Sequence, residues 1–320
     1  MAGYEISIRP GASITDAVKS IPDDGQDAVL HLSEGVFHEK VEITRPHTTI
    51  EGCGAEKTVI TWNDRATDIL DDGVKRGTFR TATLRTDADY ITLRAMTIRN
   101  DCGPRDEAGQ CIALYADGDF LLCEDCCLVS YQDTLFTAPL PPTEVIKGGF
   151  TGPKQFAPRK PQRHVYRRDR ISGDIDFIFG GAAAWFERCD IVSVDGRGCR
   201  ETPYVGYCTA ASTPEGQAFG YVFHQCRFLR ENVPDGSVYL GRPWRSFAKT
   251  VMIDCFFDRH ICCEAFHDWV KEEFHKHGMY AVYPANDFSS SMKYARVMTE
   301  ADVCRSLVSV CRFYGSLCRS

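Results

Sequence analysis

Four short runs decide the fold: FLLCEDCCLV at 120–129, WFERCDIV at 185–192, VFHQCRFL at 222–229 and VMIDCFF at 251–257. Each sets a cysteine, Cys126, Cys189, Cys226 or Cys255, at the same place inside a brief apolar stretch. Around them lie further β-rich runs, such as HTTIEG at 47–52 and YITLRAMTIRN at 90–100, separated by Gly, Asp and Asn turns. Helical periodicity is nearly absent from the middle of the chain. A rung this small cannot bury its apolar face alone, so irregular repeats of this kind predict a stack. The expected fold is all-β: a single-stranded, right-handed parallel β-helix running through residues 1–320 as one unit. Two flanking helices are expected, from the Ser13-x-x-Asp16 start of SITDAVKSI and the Thr299-x-x-Asp302 start of TEADVCRSLVSVC.

A net charge of -7 and a pI near 5.7 argue against a general nucleic-acid binder. No apolar run approaches the roughly eighteen residues of a membrane span. The start, MAGYEISIRPGAS, lacks the basic-then-apolar layout of an export signal. The sixteen cysteines are scattered, often singly in apolar runs, and read as reduced core residues. A cytoplasmic protein is expected, or a secreted one if a signal was trimmed. Cys123 and Cys126 have C-x-x-C spacing, but with no second such pair and no H-x-x-x-H after it, no zinc site is expected.

Residues 139–170, PLPPTEVIKGGFTGPKQFAPRKPQRHVYRRDR, are rich in Pro, Gly and positive charge and predict a long loop. Its basic part holds His164 with Arg159, Lys160, Arg163, Arg167, Arg168 and Arg170. Two readings stand: a solvated insertion, or a contact for a polyanionic substrate.

The stretch GDIDFIFG at 173–180 puts Asp174 and Asp176 in an apolar run, where carboxylates need a partner or a use. Three other stretches carry polar groups of matching character: GQCIALYADGDF around Gln110, YQDTLF around Gln132 and Asp133, and YLGRPW around Arg242 and Trp244. G-x-S-x-G and H-E-x-x-H are absent, so serine and zinc hydrolysis have no local signature. Duller readings exist for each residue. Asp133 could form a turn, the glutamines could satisfy turn backbone, Arg242 could be a surface ion-pair residue, and Trp244, Phe177 and Phe179 could be core. Asp174 reads as solvated or loop-facing, and His224 as a satisfied strand-edge histidine.

Taken with GVFHEKVEI, KTVITWND, TFRTAT, AASTPEGQAFGYVFHQCRF and FHDW, these stretches occur in one order along most of the chain. The ordered set resembles the pectin methylesterase (pectinesterase) family, in its bacterial form without a signal peptide. The resemblance implies a parallel β-helix with its cleft on one face, and hydrolysis of galacturonate methyl esters in pectin or oligogalacturonides, with no metal or other cofactor. It implies Asp176 as nucleophile, Asp133 as general acid/base, Gln110 and Gln132 as oxyanion donors, and Arg242 as the group that holds the nucleophile. Thr78, Phe79, Phe179 and Trp244 would line the sugar-binding cleft. An arginine beside Asp176 should lower its pKa, while burial and like charge should raise that of Asp133. The missing signal suggests imported short oligogalacturonides as substrate. The long separation between Asp133 and Asp176, which holds the insertion, departs from the family's usual spacing and puts cleft shape in question. Two other functions remain open: a galacturonan hydrolase or lyase, and a carbohydrate-binding β-helix that has lost catalysis.

Overall fold

The computed structural model of the chain describes residues 3–198, 203–284, 288 and 292–314, the side chains of 311–313 excepted. Its named strands are short and pair in parallel with the strand one rung away, forming sheets of eleven, seven and eight strands among the described residues. One rung runs from Leu121–Glu124 through Cys127–Val129 to Leu135–Thr137, contributing a strand to each sheet in turn. This is the right-handed parallel β-helix expected from the repeats.

The repeats mark one corner of that helix, between the eleven- and eight-stranded sheets. Ala95, Asp125, Arg168, Arg188, Gln225 and Asp254 turn it with φ between 51° and 56°, a left-handed conformation that stacked rungs must hold in place. The residue after each is buried or partly buried and points into the stack: Met96, Cys126, Asp169, Cys189, Cys226 and Cys255. Backbone bonds lock successive corners together, with the N–H groups of Cys127, Arg170, Asp190, Arg227 and Phe256 donating to the carbonyls of Met96, Cys126, Asp169, Cys189 and Cys226 at 2.8 to 2.9 Å. Cysteine suits the position because it is small and readily buried. The rung of Asp169 stands between those of Cys126 and Cys189, so a count based on cysteine alone misses it.

Above the corner, Tyr166, Phe186 and Phe223 stack inside the eleven-stranded sheet at 4.7 and 4.4 Å between ring centres. The helix Ile14–Ser20 buries Ile14 and Val18 in the same core, and Ser13 Oγ accepts the Asp16 N–H at 3.1 Å. The helix Glu300–Tyr314 instead flanks the outer face of that sheet, where Val303 and Val310 cover Leu122, Val165, Trp185 and Val222. Thr299 and Asp302 cap it reciprocally at 3.0 and 3.2 Å. No helix among the described residues is long and apolar enough to cross a membrane.

The basic segment departs from expectation. Arg163–Arg167 and Arg170–Gly173 are strands, so the insertion ends before residue 163 and not at 170. Their charges disguise a buried stretch because each arginine is neutralised locally. Arg163 pairs with Asp119, Arg167 with Glu124 and Glu187, Arg168 with Glu124 and Asp125, and Arg170 with Glu231. His164 is buried, its Nε2 lies 3.0 Å from the Gly118 carbonyl, and burial brings its pKa down to about 4. Arg159 turns inward, donating to the carbonyls of Pro141, Lys154, Gln155 and Ala157.

Candidate active site

The seven-stranded sheet and the turns that enter it carry a cavity of about 690 Å³. Thr78, Phe79, Gln110, Gln132, Asp133, Asp176, Phe179, Arg242 and Trp244 all line it, so the residues singled out in sequence meet in one place. Gln110 and Gln132 face each other on consecutive rungs through a parallel bridge, which sets their side chains one above the other. Asp133 follows directly and donates its N–H to the Ile175 carbonyl at 3.1 Å, tying it to the strand that begins the next rung's approach to Asp176.

That strand, Ile175–Gly180, is irregular: Ile175 pairs with Tyr207 and Ile178 with Thr209, so Asp176 and Phe177 together oppose Cys208 alone. The bulge holds Asp176 at φ 49°, and Asp133 at φ 68° is left-handed too. Backbone strain of this kind persists where surrounding contacts over-determine it. Asp176 receives Arg242 in a fork, Nε to Oδ1 at 2.8 Å and Nη2 to Oδ2 at 2.7 Å. The guanidinium is itself sandwiched between Tyr207 and Trp269, 4.0 and 3.8 Å from the ring centres. A planar cation between two π faces, gripping a carboxylate bidentately, has little freedom to turn.

The electrostatics agree with expectation for one aspartate and revise it for the other. Asp133 is driven well above the ordinary carboxylate range, first by burial and then by the charge of Asp176. Asp176 is also raised: burial outweighs the lowering by Arg242, so the arginine moderates the shift without reversing it. The order of the two is kept, with Asp133 the more firmly protonated of the pair. Lys271, another lining residue, has its pKa brought down to about 8 by burial and then by the charges of Arg245 and Arg242. Its ammonium lies 3.9 Å over Trp269 and donates to the Trp244 carbonyl at 3.1 Å.

Asp174 is not solvated. It is fully buried, accepts the Ile175 N–H at 2.7 Å and lies 3.0 Å from Arg105 Nη1. A Cβ at Gly196 would collide with its Oδ2, so the glycine keeps that space open. Asp174 thus corrects the solvated or loop-facing reading: it lies just before a strand that starts at Ile175 and is bulged, and its carboxylate turns inward to Arg105. His224 lies outside the cavity, against Trp185, and its Nδ1 has no hydrogen-bond partner among the described residues. Tyr207 and Lys271 carried no signal that separates them from ordinary strand and loop residues. Trp269 lies in the FHDW stretch, where its contact with Arg242 could not be read. Among the described residues, Cys123, Cys126 and Asp169 form the one group with metal-ligand atoms in mutual reach, within 4.8 Å. All three are buried in the corner ladder, where Asp169 Oδ1 accepts the Cys126 N–H at 2.8 Å.

Two raised carboxylates, one gripped by an arginine, and a pair of stacked glutamines thus share one cleft of a parallel β-helix. The comparisons with known proteins place this arrangement in a family. The pectinesterase family model matches residues 10–140 and 158–310, and the chain belongs to that family. It is 31% identical over 279 residues to pectinesterase A of Dickeya chrysanthemi, covering 78% of this chain and 70% of the relative. It is also 31% identical over 260 residues to the probable pectinesterase/pectinesterase inhibitor 23 of Arabidopsis thaliana, covering 77% of this chain and 39% of that relative. The chain thus spans well under half the length of this plant relative. The solved pectin methylesterase from Erwinia chrysanthemi superposes with a TM-score of 0.78 at 26% identity, covering 99% of this chain and 98% of that one. A pectin methylesterase solved in complex with a hexasaccharide matches equally well. Residues 141–157, most of the insertion, fall outside the family match.

Proposed function

We propose that the chain removes methyl groups from methyl-esterified galacturonate units of pectin or oligogalacturonides, by a covalent mechanism that uses two aspartates. The observation that carries this reading is the fork of Arg242 on Asp176 beside the more strongly raised Asp133. An ester hydrolase needs a nucleophile, donors for the oxyanion and an acid for the leaving alcohol, and this set supplies one of each.

A carboxylate oxygen of Asp176 attacks the ester carbonyl carbon. The carbonyl electrons move to oxygen, and the side-chain amides of Gln110 and Gln132 donate to the resulting oxyanion. When the oxyanion collapses, the bond to methoxide breaks, Asp133 gives its proton, and methanol leaves. An anhydride links Asp176 to the substrate. Asp133, now ionised, takes a proton from water as it adds to the anhydride carbonyl, and collapse returns both aspartates to their starting states. Arg242 fixes which Asp176 oxygen faces the substrate throughout.

Thr78, Phe79, Phe179 and Trp244 form the sugar-binding surface in this reading. We also propose a cytoplasmic location, which the free thiols of the corner ladder support. The deciding assay follows products from a methylated oligogalacturonide of defined length. Methanol and carboxylate in equal amounts, with no new chain ends, are expected. New reducing ends or unsaturated sugars without methanol would replace the esterase with a hydrolase or lyase.

A further inference from the structure

The insertion has a cleft side and an outer side, and their chemistries differ. Leu140 and Phe150 are buried with Phe79, Tyr115, Phe136 and Phe179, so the segment is anchored at both ends of its first half. Phe150 meets Phe79 and Trp244 edge-on at 5.9 and 6.1 Å, and a side chain at Gly152 would collide with Phe79. Arg245, from the opposite wall, donates to the Thr143 carbonyl at 3.2 Å. Between these anchors, Glu144, Val145, Ile146 and Gly149 line the same cavity as the two aspartates. Val145 and Ile146 are 82% and 75% exposed, two large aliphatic side chains at the cleft edge with little protein over them. The Glu144 carboxylate accepts the Gly148 and Phe150 N–H groups at 2.9 and 3.4 Å. No ion pair reaches it among the described residues, and Arg245 is engaged with the carbonyls of Thr143 and Trp244.

We infer that residues 143–150 form a lip that selects methyl-esterified over free galacturonate units beside the reacting one. This rests on the esterase reading above. An ester methyl offers apolar surface that Val145 and Ile146 can cover, whereas a free carboxylate there would lose water to aliphatic carbon and meet the charge of Glu144. The one cation of the lip, Lys147, is exposed and is not among the residues that line the cavity. Lys154 is held by Asp87 and Asp117, and Arg159 by carbonyls within the loop. The lip falls within residues 141–157, which the family match omits.

Binding separates the lip from the chemistry. On the Asp176→Asn background, dissociation constants are measured by calorimetry for two hexagalacturonates, one fully methylated and one fully de-esterified. Val145→Ser with Ile146→Ser should weaken the methylated hexamer roughly fivefold to tenfold more than the de-esterified one. Glu144→Gln should shift the ratio about threefold toward the de-esterified hexamer at low salt, and this shift should fade near ~0.5 M salt. Because Val145 and Ile146 are exposed, the serine variants should fold as the parent does, which thermal unfolding checks. A ratio unmoved by either change, or both hexamers weakened equally, overturns the lip. Absence of methanol release by the unaltered enzyme overturns the esterase reading instead, and the two dissociation constants still report on the lip.

Discussion

The corner ladder and the cleft each bury an aspartate whose pKa is pushed upward, and the two regions use it differently. Asp169 takes a place otherwise held by cysteine or methionine, with Cys123 and Cys126 beside it, and burial brings it up to about 8. Asp133 is also raised well above the ordinary carboxylate range by burial, but it faces the charge of Asp176, the guanidinium of Arg242 and an open cavity. A raised pKa therefore marks burial in both regions, and only one of the two opens on a cavity. What separates them is a charged partner and access for substrate, and pKa perturbation alone is only a probabilistic guide to a site.

The largest expected effect breaks the comparison outright. Asp176→Asn should lower turnover by ~10³-fold or more while thermal unfolding changes little, because an amide can neither attack nor form the anhydride. Asp169→Asn, assayed alongside it, should keep its turnover within about twofold once folded. Loss of activity in both would mean that the ladder reaches into the chemistry. Next in size, Gln132→Ala should cost roughly a hundredfold in kcat, the usual effect of one oxyanion donor, with KM nearly constant. A rise in KM with kcat retained would make Gln132 a binding group.

Much of this was legible because the β-helix converts sequence order into stacking. Gln110 and Gln132 are 22 positions apart, yet consecutive rungs place them in register. The same stacking delivers Asp176 and Arg242 to that face, so motifs that kept family order were enough to assemble the cleft. What sequence could not show depends on local departures from regular geometry. Asp174 read as solvated or loop-facing, but it precedes a bulged strand and is buried near Arg105. Composition made Arg163 to Arg170 look like loop, since the acids that neutralise them lie on neighbouring rungs far away in sequence. The direction of the Asp176 shift also escaped, because the Arg242 partner is visible in a motif and the burial that outweighs it is not.

The raised carboxyls of the cleft and of the ladder pull stability the same way with pH, and a substitution at Asp169 isolates the ladder's share. In the unfolded chain the Asp169 carboxyl loses its proton near pH ~4, and in the fold near pH 8. Between those values the folded state holds a proton that the unfolded state lacks. Stability contributed at this site is therefore complete below the lower value and falls as pH rises, by at most ~1.4 kcal/mol per pH unit, until it levels off above the upper one. Asp169→Asn titrates in neither state, and its amide oxygen can still accept the Cys126 N–H. Chemical denaturation from pH 4 to pH 9 should show a shallower decline for the variant than for the parent. Parallel curves would mean that Asp169 ionises normally and that the ladder holds it as a charged group.

The smallest expected effect concerns the cations that sequence placed in a loop, read either as solvated or as a contact for a polyanionic substrate. Arg168 sits at the corner between the eleven- and eight-stranded sheets, at φ 55°, with its guanidinium on Glu124 and Asp125. Residues of the cavity come from the seven-stranded sheet and the turns entering it, and Arg168 is not among them. A charge already paired with two carboxylates has little field left to project, and at 0.1 M salt the screening length is only about 10 Å. Arg168→Gln should therefore change KM for a partly de-esterified oligomer by less than about twofold, even at low salt. It should cost no more than ~1 kcal/mol in stability, as befits an exposed ion pair. The contrast is with Glu144→Gln, which alters a charge on the cleft side of the insertion. If Arg168→Gln matched it in size and in salt dependence, substrate would have to extend around the corner, onto a face remote from Asp133 and Asp176.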